Sequence, residues 1–170
     1  PYILLVGVIL LVSGCDTTIQ TGDGNGRILP NITGGAGEVL VVVDKYIYES
    51  ETGELIQDIL KAEFPGLPQS EPLFDVTQIT AASFDNLFRF HRSVVLITVK
   101  DGLEQPSVKF RKNVWARPQI LVQVEGSNRQ EIHAALEENR TRIINFLVQY
   151  DGQRLTDIYT SSKDLEIQKM

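Results

Sequence analysis

The chain has 170 residues, a formal net charge of −6 and 42% hydrophobic residues, with one cysteine and one tryptophan. That length suits one domain with appendages, and the hydrophobic share is ordinary for a globular protein. The acidic balance argues against nucleic-acid binding, which needs a basic footprint, and a single cysteine excludes both a disulfide framework and a zinc site built from clustered cysteines.

Residues 3–12, ILLVGVILLV, carry no polar side chain. A bilayer-spanning helix needs about twenty apolar residues, so this run suits the apolar region of a signal peptide instead. Val12, Ser13, Gly14 and Cys15 follow and read as a lipobox. The small residues admit the backbone to a peptidase cleft. The Cys15 thiol can take a diacylglycerol thioether, and cleavage before it frees an amine for a further acyl chain such as palmitate. One acyl chain anchors only reversibly, whereas two or three hold permanently. The alternative is a buried core cysteine. Residues 1–14 are therefore expected to be a lipoprotein signal peptide, in a chain that starts upstream of Pro1. Residues 15–37 are expected to be the lipidated cysteine and a flexible tether, rich in glycine, threonine, asparagine and aspartate. Within it, GDGNG lacks the third ligand and closing glutamate of a calcium loop. GGAG precedes a strand rather than joining a strand to a helix, so it is no phosphate cradle.

The globular domain is expected over residues 38–152. Glu38–Asp44, EVLVVVD, is an apolar run without alternation, as in a strand buried on both faces. Leu55, Ile56, Ile59, Leu60 and Phe64 recur at helical spacing until Pro65-Gly66 stops the pattern. Three prolines between Pro65 and Pro72 predict an extended surface loop through to Thr80. AASFDNLFRFH predicts a short helix with Phe84, Leu87 and Phe88 on one side. Ser93–Lys100 reads as a strand and Asp101-Gly102 as a turn. Ser107–Gly126 reads as two strand segments or one bent strand, with a bulge or edge near Ala116–Pro118 because Pro118 cannot donate to a ladder. Ser127 or Asn128 caps a final helix, with Glu131 in capping-box position and Ile132, Leu136, Ile143 and Leu147 as its buried stripe. Residues 153–170 are expected to begin a C-terminal region that continues past Met170. The element order predicts an α+β fold, a split β-α-β, ferredoxin-like sandwich with helices on one face of a mainly antiparallel sheet.

GEVLVVVD, PGLPQSEPLFDVTQI, FRFHRSVVLITV and SVKFRKNVWARPQILVQV, taken with the lipobox, resemble a group of bacterial lipoproteins known as domain of unknown function 4837. The similarity spans Gly37 to about Gln153. It implies a lipoprotein of the Gram-negative envelope, outer-membrane anchored and facing the periplasm, and members carry a second half. It supplies no reaction and no catalytic residue.

Chemistry-bearing residues are few. Arg89 and Arg92 flank His91 and would disfavour its protonated form. Ser93 lies beside His91, but a Ser-His pair without an orienting acid is no triad. His133 sits on the last helix near Glu137, a pair expected from chance on an exposed face. Neither histidine belongs to a converging ligand set, so no metal, cofactor or catalytic residue is expected. RKNVWARPQ interleaves Arg111, Lys112 and Arg117 with Trp115. Arginine and tryptophan are enriched in binding hot spots, which makes Trp115, Arg111 and Arg117 candidate contacts for an envelope protein partner. The competing reading is a tryptophan that covers the sheet. The sequence thus favours a membrane-anchored interaction or accessory module, held through Cys15, over a ligand-binding domain or hydrolase completed by further C-terminal residues.

Overall fold

The computed structural model describes residues 22–23, 27–63, 69, 71–85 and 87–167, with side chains placed for residues 28–63, 69, 71–85 and 87–151. The expected signal peptide, Cys15, Phe64 and most of the proline loop lie outside the described residues. A two-residue antiparallel pair, β1 (Gly22–Asp23) with β2 (Arg27–Ile28), precedes the main sheet.

The main sheet has β3 (Glu38–Val42), β4 (Asp75–Ile79), β5 (Ser93–Val99), β6 (Ser107–Lys112) and β7 (Ile120–Gly126) in the order β4-β3-β5-β7-β6. Strands β4, β3, β5 and β7 are mutually parallel, and only β6 runs antiparallel, against β7. The fold is α+β in its broad class, but the expectation of a mainly antiparallel, ferredoxin-like sheet is wrong. The physical reason lies in β3 and β5, whose apolar runs do not alternate. Such runs belong to parallel strands covered on both faces. The expected surface loop is also corrected in part: Asp75–Ile79 is a strand, parallel to β3 with Val39 opposite Val76. Its polar alternation is that of an edge strand.

Between β3 and β4 lie a short helix α1 (Lys45–Tyr48) and α2 (Glu51–Leu60). Ser50 Oγ accepts from the Thr52 N–H at 3.3 Å, capping α2. The two helices meet so closely that a Cβ on Gly53 would stand 1.8 Å from the Tyr48 carbonyl oxygen. The last helix, α3 (Arg129–Ile167), starts as its sequence demands. Asn128 Oδ1 accepts the Glu131 N–H at 2.9 Å, and the Glu131 carboxylate accepts the Ser127 N–H and hydroxyl at 2.8 and 2.7 Å. Those hydrogen bonds, the Ser127 backbone foremost, hold the Glu131 carboxyl below its usual range. At about 1.5 Å per residue, the 39 residues of α3 outrun any strand of the sheet. The helix runs without interruption across the boundary expected at residue 152.

Helices α2 and α3 share one face. Val39, Val41, Val95, Ile97, Val122 and Val124 point to it and meet the expected stripes of both helices, including Ile56, Ile59, Leu136 and Ile143. The opposite face carries Leu40, Val42, Val94 and Leu121 beneath Phe84, Phe88, Val114 and Trp115. The expected short helix is two 3-10 turns, Ala81–Ser83 and Phe88–Phe90. Leu87 does not join Phe84 and Phe88 on the sheet but is 65% exposed.

Candidate functional site

The chain reaches the sheet across the N-terminal ends of its strands. Arg117 N–H donates to the Pro30 carbonyl at 2.8 Å, Thr33 N–H to Phe90 O at 2.8 Å, and Arg92 N–H to Thr33 O at 2.9 Å. Docking therefore begins upstream of Glu38, within the stretch expected to be tether. GGAG has a packing role there. Gly34 adopts φ +86°, and a Cβ on it would lie 2.6 Å from His91 Nε2. The Glu38 carboxylate approaches the same nitrogen at 3.7 Å. Arg92, buried beside His91, instead pairs with Asp151 at 2.9 Å, and Gly37 N–H donates to that carboxylate at 3.1 Å. His91 faces a carboxylate, then, rather than the repulsive arginine pair expected from its neighbours in sequence. It meets Ser93 only through the backbone carbonyl, at 3.1 Å. The Ser93 hydroxyl is buried without a hydrogen-bond partner among the described residues. The two do not form a nucleophile-base pair.

At the other end of the sheet, the N-termini of α2 and α3 meet. Glu51, Thr52, Arg129, Gln130 and His133 line a pocket of about 160 Å³ there. His133 Nδ1 lies 3.4 Å from Thr52 Oγ1. Glu137, its expected chance neighbour, turns instead to Arg140 at 3.6 Å. Among the described residues no three His, Cys, Asp or Glu side chains converge on a metal position.

The three candidate contacts fall in three settings. Arg111 is exposed on β6, the last strand of the sheet. It makes no hydrogen bond, ion pair or ring contact with other described residues. Trp115 is half-buried in the loop joining β6 to β7, edge-on to Phe84 at 5.5 Å between centroids, while Arg89 stacks over the same Phe84 at 5.9 Å. Arg117 sits in the same loop, ahead of a cis bond to Pro118, with its backbone tied to Pro30. Gln119, which sequence reasoning passed over, organises this loop. It is fully buried. Its Oε1 accepts the Trp115 and Ala116 N–H groups at 3.0 and 3.4 Å. Its Nε2 donates to the Arg89 and His91 carbonyls at 2.6 and 2.7 Å. Every hydrogen-bonding position of the amide is used, as burial requires.

On the face of β6 opposite Arg111 the surface is built. Phe110, Arg142, Asn145, Phe146 and Gln149 line a groove of about 360 Å³ between β6 and α3. Phe110 and Phe146 pack edge-to-face at 5.1 Å, and the Arg142 guanidinium lies 5.0 Å over Phe110. On the opposite side of β6, Glu125 is buried between Lys100 and Lys109, the latter at 2.8 Å, and also accepts from Gln123 at 2.8 Å. Hydrogen bonds from the two lysines hold its carboxyl down to about 2, against the opposing cost of burial.

Residues 33–160 match the family described as Domain of unknown function (DUF8532). The chain belongs to that family. No curated protein and no solved structure matches it. The resemblance to domain of unknown function 4837 is therefore wrong, because the residues that carried it lie mostly inside the DUF8532 match. Short apolar strands and proline loops are shared widely enough to mislead when read in pieces. The envelope expectation for this DUF8532 protein now rests on residues 3–15 alone. Among the described residues no helix is long and apolar enough to cross a membrane.

Proposed function

We propose that this DUF8532 protein is an interaction module of the bacterial cell envelope, anchored through lipid on Cys15 and facing the periplasm. The open β6 edge with its groove is the observation that carries this reading. Arg111, without a partner among the described residues, stands on one face of that strand and two aromatic rings stand on the other, which is recognition chemistry rather than catalysis. The docking of residues 30–37 supports the arrangement. Those residues, at the end of the expected tether, run across the N-terminal ends of the strands. Metabolic labelling with a palmitate analogue tests the anchor: the native chain takes the label, and Cys15→Ala takes none. Equal labelling of both refutes the anchor. Sucrose-gradient fractionation then assigns the membrane, with the outer one expected.

A second reading has its own observation in the pocket of Glu51, Thr52, Arg129, Gln130 and His133. It makes the domain a binder or hydrolase of a small ligand, completed by further C-terminal residues. Extending the reading frame beyond Met170 separates the two readings. Clusters of serine, histidine and acidic residues there favour the second, and their absence favours the first.

A further inference from the structure

We infer that the β6 edge binds an extended acidic peptide as an added sixth strand, with one apolar side chain of the peptide seated in the Phe110–Phe146 groove. This rests on the interaction-module reading and names its partner by chemistry. As the last strand in the order, β6 has β7 on one side only. One row of its backbone N–H and C=O groups therefore points outward, ready to pair. An incoming strand would lie along β6 beside α3, and its side chains would alternate between the two faces. Those on the helix side enter the groove, where Phe110, Phe146, the Arg142 guanidinium and the Asn145 and Gln149 amides surround them. Those on the other side stand beside Arg111, on the face that also holds Lys109.

The charges select the peptide. The six residues of β6, SVKFRK, carry three cations and no anion on a chain of net charge −6. Two of the cations are engaged: Lys109 with Glu125, and Lys112 over the Tyr150 ring at 5.8 Å. Arg111 is the one left without a described partner. A second copy of β6 would set cation against cation, which is how lysine-rich edges refuse self-pairing. An acidic strand reverses that sign, and Arg111 then supplies a charge-assisted bond to Asp or Glu. The expected ligand pattern is an acidic residue, an apolar or aromatic residue, then a second acidic residue. Main-chain pairing supplies affinity and the groove supplies specificity, as in strand-addition domains generally. A charged edge that served only to resist aggregation would need no aromatic groove beside it.

The test uses the full chain and fluorescein-labelled octapeptides that alternate Glu with Leu or Phe. Controls replace every Glu by Lys, or place Pro at the centre. Fluorescence anisotropy should show saturable binding of the acidic peptide alone, and hydrogen exchange should slow at 107–112 in its presence. Arg111→Glu should weaken binding about tenfold or more while the melting temperature stays unchanged. Phe146→Ala should weaken it whatever the charge state. Equal binding of the Lys peptide, retention of the Pro peptide, or indifference to Arg111→Glu each overturns the inference. A photo-crosslinker at position 111 in cells separates the two levels. Specific protein adducts without peptide binding defeat strand addition and leave the interaction module standing. No adducts and no peptide binding defeat both.

Discussion

The two faces of the sheet are covered in different ways. Under α2 and α3 the strands are apolar along their whole length, and the helices close over them with stripes of leucine and isoleucine. The opposite face changes character along β7, where Leu121, Gln123 and Glu125 succeed one another on the same side. Leu121 lies beneath the 3-10 turns and Trp115, whereas Glu125 lies among lysines. Helices cover a sheet continuously because their side chains repeat every turn. Loops cover it in patches. What the patches leave open can hold charge, provided each charge finds a partner.

The largest effect is expected on the helix side. Leu136→Ala should cost about 3 kcal/mol, as large-to-small changes at fully packed sites do, since Leu136 is 2% exposed. Urea unfolding measures it. A loss below about 1 kcal/mol would mean that the helix layer is not the main core.

On the loop-covered face the effects should be smaller. Trp115→Ala removes a large ring, but one only half-buried against Phe84. The expected cost is about 2 kcal/mol, short of the 3–5 of a fully buried aromatic. A thermal melt decides it, and no change in midpoint would return Trp115 to the list of recognition residues.

The charged end of that face sharpens the contrast through pH. The carboxyl of Glu125 stands at about 2 in the folded chain against 4.5 for an ordinary glutamate. A lowered folded value contributes stability that is complete above 4.5 and is lost as pH falls from there towards 2. Lys100 and Lys109 are about half exposed, so solvent screening leaves only about 1 kcal/mol. Glu125→Gln should lose that amount at neutral pH and show a flatter acid limb in the same window. An unchanged acid limb would assign the native pH dependence to other groups.

Helix positions were legible from residue spacing. Asn128 and Glu131 mark the start of α3, and the stripes from Leu55 to Leu60 and from Ile132 to Leu147 lie where periodicity puts them. Strand direction was less legible. The apolar runs of β3 and β5 carried the parallel signal, but the short segment β4 lay hidden behind prolines, so its crossover from β3 through α2 went unseen. Arg111 was visible as a candidate because a cation on a strand flanked by others stands out. The groove on the other face of that strand was not, because Phe146 comes from a helix 36 positions away in the chain. Gln119 had no signal at all, since its four partners sit in two separate loops.

The Asp151 carboxylate also constrains the order of assembly. It joins Arg92 before β5 to Gly37 before β3, the latter contact closing a span of 114 positions in the chain. Contacts of such long range form late, because the closure entropy of the intervening loop is lost before any contact repays it. This link at the start of β3 therefore forms only once α3 is available as far as residue 151, the 23rd of its 39 residues. A nascent chain that has not yet released residue 151 holds a parallel sheet without its clasp.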